Sequence, residues 1–313
     1  MIAKGRVLPP SINYDSPREL RAFLEGRGLG MRKKFGQNFL INPSARSKLL
    51  DALELKPGDK VWEIGPGLGA MTAGLLERCA QITAFEIDPA FALILKELFG
   101  MEPSFTLIEG DVLKTWPAVQ AALLNSQAKD KNLFLFGNLP YNIAAALLAD
   151  FIEKQRFFNR MVVTVQREVA LRMAAGPGSV DYSSFSILCS SVYDVKLLHK
   201  ISAASFFPAP RVDSQGVRFD LRADKKKIPL LFYPLVRNLF SSRRKTIRNS
   251  LSAFAASVIM ERKYPGGTSL NVKETAMEAL ELAGISGDCR AETLGIDEFA
   301  ALAASLEEII SHG

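Results

Sequence analysis

The chain has 313 residues, 48% of them hydrophobic and 23% charged, and 39 lysines and arginines against 33 aspartates and glutamates give a formal charge of +6. That composition excludes a mostly disordered or fibrous chain and has room for one large domain with a smaller one. The charge is uneven: residues 1–40 are net +5, residues 222–248 are net +8, and the remainder is net −7.

Two basic blocks of this kind point to a polyanionic partner such as nucleic acid, although any single run is more often a solvated face. Cys79, Cys189 and Cys289 lie far apart and the histidines are His199 and His312 alone, so no metal site is expected. With no leader-like segment from Met1 and no apolar run of membrane-spanning length, the expectation is a cytoplasmic protein without membrane contact.

From Lys60 onward, short apolar runs alternate with longer amphipathic ones. Strands are predicted at Lys60–Ile64, Ile82–Ile87, Phe105–Glu109, Leu133–Phe136 and Met161–Val165, with helices at Ala70–Arg78, Ala90–Phe99 and Ile143–Lys154 between them. This is the βαβ rhythm of a parallel, doubly wound sheet. Lys196–Ile201 and Gly216–Leu221 read as an antiparallel pair at its edge. After Arg222 only helices are predicted, over Leu230–Phe240, Arg243–Ala256, Val272–Ala283 and Asp297–Ile310, and they form a small helical domain.

The first strand runs into Glu63-Ile64-Gly65-Pro66-Gly67-Leu68-Gly69, a turn that lets backbone approach a ligand at the carboxyl edge of a sheet. Alone it fits a relaxed dinucleotide fingerprint, or a turn with no ligand, equally well. Glu86 closes the second strand, where a carboxylate accepts both ribose hydroxyls of an adenosine. Asp111 follows the third and suits either an adenine amino group or a helix cap.

The informative segment is Asn138-Leu139-Pro140-Tyr141, after the fourth strand. The exocyclic amine of adenine is a poor nucleophile because its lone pair is delocalised into the ring. The Asn138 side-chain oxygen and the Leu139 carbonyl can accept its two N–H bonds and localise that pair toward an electrophilic methyl group. Pro140 biases Leu139 toward an extended conformation, and Tyr141 offers an aromatic face to a base swung out of its stack.

With these residues the sequence resembles the ribosomal RNA adenine N6-dimethyltransferase family that acts on the small ribosomal subunit. The resemblance runs from Lys34-Phe35-Gly36-Gln37-Asn38-Phe39-Leu40 through the glycine turn, Glu86, Asp111, the Asn138 tetrapeptide and Phe206–Ser214 to Ser242-Arg243-Arg244-Lys245-Thr246. It implies a Rossmann-like S-adenosylmethionine-dependent methyltransferase sheet with a small C-terminal all-helical domain. The implied organisation is a basic segment over residues 1–40 leading into the cofactor motif, a catalytic domain over 41–222 and an RNA-contacting domain over 223–313.

The resemblance further implies S-adenosyl-L-methionine as cofactor. Asn38 and Leu40 would line its pocket, Gly65 would lie against it, Glu86 would hold its ribose and Asp111 would meet its adenine. Asn138 would sit between cofactor and target, with Tyr141 and Phe206 clamping the flipped base. Arg243, Arg244, Lys245 and Arg248, placed on one predicted helix with Arg244 and Arg248 sharing a face, would contact phosphates. Ala209, Arg211 and Ser183-Ser184 depart from common family residues.

The implied reaction is dimethylation of two adjacent adenosines near the 3′ end of 16S rRNA within a small-subunit particle, linked to its maturation. A large-subunit rRNA adenine N6-methyltransferase conferring macrolide resistance is the alternative within the class. A nicotinamide-dependent oxidoreductase would leave the Asn138 segment idle, and a non-catalytic assembly factor would not need it.

Overall fold

The computed structural model describes residues 12–30, 37–78, 80–125, 132–139, 143–223, 228–261 and 271–312. In chain order the elements are α1 (Pro17–Glu25), β1 (Phe39–Leu40), α2 (Pro43–Asp51), β2 (Lys60–Ile64), α3 (Ala70–Glu77), β3 (Gln81–Glu86), α4 (Pro89–Phe99), β4 (Phe105–Glu109) and α5 (Val112–Asn125). There follow β5 (Leu133–Asn138), α6 (Ala144–Glu153), β6 (Arg160–Gln166), α7 (Arg167–Ala174), α8 (Ser184–Ser190), β7 (Tyr193–Ile201), β8 (Phe206–Phe207) and β9 (Ser214–Leu221). The last are α9 (Phe232–Ser241), α10 (Ile247–Glu261), α11 (Val272–Leu282) and α12 (Ile296–His312).

The predicted strands form one sheet in the order β4-β3-β2-β5-β6-β9-β7. From β4 to β6 all neighbours are parallel, while β9 runs antiparallel to β6 and lies beside β7 at the edge. The order reverses between β2 and β5, so their carboxyl ends form the switch point where α/β sheets place ligands. Successive residues of a strand face opposite sides. On β2, Trp62 therefore enters an aromatic cluster with Phe85, Phe151 and Phe158, while Val61 joins Leu49, Leu75, Leu95, Phe136 and Val162 on the other face.

The chain divides into two compact units, one of Met1–Ala170 with Val195–Leu221 and one of Leu171–Asp194 with Arg222–Gly313. The second is built on α9 to α12, but its core also takes Tyr182 and Ile187 from the excursion before β7. The Tyr182 hydroxyl donates to the Leu294 carbonyl at 2.9 Å. That excursion lies inside the 41–222 segment expected from sequence, whose boundary did not anticipate it.

A second difference concerns the basic run. Arg243, Arg244 and Lys245 do not lie on a helix: they form the turn after α9, where the Lys245 amide donates to the Ser242 carbonyl at 2.8 Å. Only Arg248 is helical, so Arg244 and Arg248 share no helix face. The first free N–H groups of a helix need acceptors. Those of Ile247 and Arg248 find them in the carbonyls of Cys289 and Gly287, at 2.9 and 3.0 Å, which fixes the start of α10 four residues later than the periodicity indicates.

Candidate active site

At the switch point, the turn after β2 holds Gly65, Gly67 and Gly69 at φ values of +69°, +59° and +87°, a region that costs side chains with a Cβ but not glycine. A Cβ on Gly67 would also come within 3.1 Å of the Phe39 ring. The turn then starts α3. Facing it, β1 pairs antiparallel with β8, Phe39 opposite Phe207 and Leu40 opposite Phe206. Two sequence motifs 167 residues apart thus form one small ribbon, held further by Arg46, whose guanidinium donates to the Leu40 carbonyl at 2.9 Å.

Between ribbon and turn lies a cavity lined by Gln37, Asn38, Phe39, Leu40, Glu63, Gly65, Gly67, Glu86, Ile87, Phe136, Asn138 and Thr164, among others. Five of the expected residues, Asn38, Leu40, Gly65, Glu86 and Asn138, therefore meet in one place. A second cavity, outside α3, is lined by Arg46, Arg78 and Gly74; its arginines are already paired with Asp15 and Asp51.

Asn138 is the last residue of β5, not the first of the following loop, and pairs in register with Thr164 of β6. Its Nδ2 donates to the Asn38 carbonyl at 2.9 Å. Because a carbonyl can face only the NH2 side of an amide, this bond sets the side-chain orientation and leaves Oδ1 as the acceptor. The Leu139 amide donates to the Thr164 carbonyl at 3.1 Å. Leu139 itself is buried, with its side chain turned back over Gly137, where a Cβ would fall 2.6 Å from Leu139 Cδ2.

The carboxylates set the electrostatics. Glu86 is buried, with Oε2 accepting the Gly67 amide at 3.0 Å and Oε1 the Asp88 amide at 2.8 Å. Burial pushes its pKa up to about 7, against the opposing pull of those backbone donors. Glu63, on β2 two residues before Gly65, is pushed up to about 8 by burial, with the Thr72 hydroxyl donating to it at 2.7 Å and the Glu86 charge adding to the rise. Glu63 and Thr164 were not singled out from the sequence, because both sit in apolar strand runs that read as core.

The other expected residues are placed differently. Asp111 is not among the cavity-lining residues; its Oδ1 accepts the Leu113 amide at 3.0 Å and caps α5. Phe206 packs into the sheet core with Leu40 and Leu49 and is 3% exposed, so it presents no open face to a base in this structure. Phe207, the next residue, has the Arg21 guanidinium 5.4 Å from its ring centroid. Tyr141 lies outside the described residues, as do Lys33 and Lys34.

In the helical unit, Arg243, Arg244, Lys245 and Arg248 are all exposed. Arg243 pairs with Glu292 at 3.2 Å and Arg248 with Asp288 at 3.1 Å, while Arg244 and Lys245 have no ion pair among the described residues. Among the described residues no group of three or more metal-ligating side chains occurs, and no helix is long and apolar enough to cross a membrane.

Residues 28–271 match the family model for ribosomal RNA adenine dimethylases. The ribosomal RNA small subunit methyltransferase A of Treponema denticola is 44% identical over 308 residues, 97% of each chain. The protein of the same name from Geobacter metallireducens is 33% identical over 287 residues, 90% of this chain and 98% of that one. Among solved structures, a dimethyladenosine transferase from Plasmodium falciparum superposes with a TM-score of 0.70 at 24% identity, covering 85% of this chain and 96% of that one. The 23S rRNA methyltransferase ErmE does so with a TM-score of 0.57 at 23% identity, covering 86% and 99%. Both confirm the methyltransferase fold. On the family match and these relatives together, the chain belongs to the ribosomal RNA adenine dimethylase family.

Proposed function

We propose that this protein is an S-adenosylmethionine-dependent rRNA adenine N6,N6-dimethyltransferase that modifies two adjacent adenosines near the 3′ end of 16S rRNA, in the cytoplasm and within a small-subunit particle. The observation that carries the reading is the Asn138 amide: anchored through Nδ2 to the Asn38 carbonyl, it keeps Oδ1 for an N–H of the target. An acceptor fixed before the reaction costs no reorganisation in the transition state. With the Leu139 carbonyl taking the second N–H, the amine lone pair is held out of conjugation. When bound, S-adenosylmethionine supplies the electrophilic methyl group.

The donor and acceptor set fits that cofactor. Each Glu86 oxygen already accepts one backbone amide, and a carboxylate has about four acceptor sites, which leaves two for a ribose diol. Gly65 and Gly67 keep the turn open to a ligand, and Leu40 and Asn38 close the opposite wall. Asp111, two residues beyond β4 and just before α5, would meet the adenine of the cofactor through the carboxylate oxygen not engaged in capping. Tyr141 and Phe206 would be the aromatic contacts of the flipped base, Phe206 after its ring leaves the core packing. Arg243, Arg244, Lys245 and Arg248 would bind phosphates from a turn and the adjoining helix start.

Relatives named for the small subunit support 16S over 23S rRNA as the substrate. Family membership leaves the oxidoreductase alternative without support. The test is incubation with methyl-labelled S-adenosylmethionine and, separately, small subunits, large subunits and naked rRNA, followed by nucleoside analysis. N6,N6-dimethyladenosine in the small-subunit rRNA is the expected product. Label confined to large-subunit RNA, or to another nucleoside, would overturn the assignment.

A further inference from the structure

Thr164 is fully buried, lines the cavity beside Asn138, and its hydroxyl has no hydrogen-bond partner among the described residues. Buried hydroxyls are nearly always paired, so one left without a partner beside a ligand cavity points to a group that arrives with the ligand. Its position says which ligand. Glu86 and Asn138 end β3 and β5, Gly65 follows β2 and Thr164 lies two residues from the end of β6, so the four stand toward the carboxyl edge of four neighbouring strands, β3, β2, β5 and β6. With strands about 4.8 Å apart, Thr164 is roughly 14 Å across the sheet from Glu86 and one strand beyond Asn138, on the side away from the ribose-binding carboxylate.

The Watson–Crick edge of adenine presents an amine with two donors and, next to it, N1 as an acceptor. Asn138 Oδ1 and the Leu139 carbonyl satisfy the amine, which leaves N1 in need of a donor. One hydrogen of Asn138 Nδ2 is taken by the Asn38 carbonyl and one of the Gln37 amide by Asp88, and the Tyr14 hydroxyl donates to the Leu68 carbonyl. Thr164 supplies an O–H on the strand in register with Asn138. We infer that Thr164 is a specificity-determining residue that donates its hydroxyl hydrogen to N1 of the target adenine and so holds the amine in register with Asn138. This rests on the adenine reading above.

The test compares small-subunit particles whose target positions carry adenosine or 1-deazaadenosine, in which a C–H replaces N1. The altered ring electronics slow every enzyme alike, so the readout is the ratio of kcat/KM between the two substrates in native protein against Thr164→Val. A neutral hydrogen bond is worth about fivefold to tenfold in such a ratio. The native penalty for 1-deazaadenosine should exceed that of Thr164→Val by this factor, with Thr164→Ser keeping the native penalty and S-adenosylmethionine affinity unchanged throughout. The ligand-free Thr164→Val protein should also melt no lower than native, because an unpaired buried hydroxyl is exchanged for a methyl group; a clear fall would mean that the hydroxyl serves the fold, and would overturn the inference.

Equal penalties in native and Thr164→Val enzymes would overturn it alone, as would a structural water filling the site with no effect on the ratio. Thr164→Ala against Thr164→Ser repeats the comparison with a second pair of variants. A native enzyme that methylates no adenosine would instead remove the adenine reading itself.

Discussion

Cofactor affinity should depend on pH through Glu86. On the proposed function its carboxyl, with a pKa of about 7 in the ligand-free protein, must be ionised to accept two ribose hydroxyls while it holds the Gly67 and Asp88 amides. At pH 8 about nine-tenths of the molecules are ready, and at pH 6 about one-tenth, so the dissociation constant for S-adenosylmethionine should rise about tenfold between them. Glu86→Gln keeps the size and one acceptor but cannot ionise. At pH 8 it should bind roughly tenfold to thirtyfold more weakly, since hydrogen bonds to a charged acceptor exceed neutral ones by about 1 kcal/mol each. Titration calorimetry at pH 6, 7 and 8 in two buffers of different ionisation enthalpy measures both affinity and the proton released. A Glu86→Gln profile as steep as native, with the same proton release, would refute the role of Glu86 in this dependence.

Two further outcomes follow from the same geometry. The folded-state pKa of Glu63 lies above the ordinary value near 4.5, so its contribution to stability is fully present below about pH 4.5 and is lost as pH rises through about 8. Glu63→Gln retains an acceptor for Thr72 without the charge; its unfolding free energy should fall less than the native one between pH 5 and 8.5, by on the order of 2 to 4 kcal/mol, seen as a smaller drop in thermal midpoint, and parallel curves would contradict the burial of that charge. Replacing Arg243, Arg244 and Lys245 with alanine should weaken binding to small-subunit particles and flatten log affinity against log salt by roughly 0.7 to 0.9 per lost phosphate contact. Cofactor affinity should not change, and an unaltered salt slope would withdraw these side chains from RNA contact.

The parallel core of the fold was legible because its strands carry apolar runs bounded by glycine and proline. Lys60–Ile64 and Phe105–Glu109 match their predicted limits, and the remaining expected strands differ at their ends by one to three residues. What escaped depends on distant partners. β1 and β8 are two residues each and exist through one another. The start of α10 is set by carbonyls near residue 288, which no local periodicity encodes.

Helices α1 and α2 went unpredicted despite local signals. Ser16-Pro17 and Asn42-Pro43 each place a capping side chain before a proline at the first helical position, and both caps form, at 3.3 and 3.0 Å. At the site, the residues legible in sequence were those in punctuated turns and strand ends. Glu63 and Thr164 were hidden because, without the registers, a polar residue within an apolar strand does not reveal whether it faces a cavity or a helix.

The most direct measurement of the central claim is single-turnover methyl transfer to small-subunit particles by Asn138→Ala, with cofactor affinity measured in parallel. On the proposed mechanism Asn138 Oδ1 acts on the amine in the transition state, so the rate should fall on the order of a hundredfold or more while the S-adenosylmethionine dissociation constant stays close to native. Methyl transfer at near the native rate would contradict activation of the target amine by Asn138, and with it the mechanism built on its anchored amide.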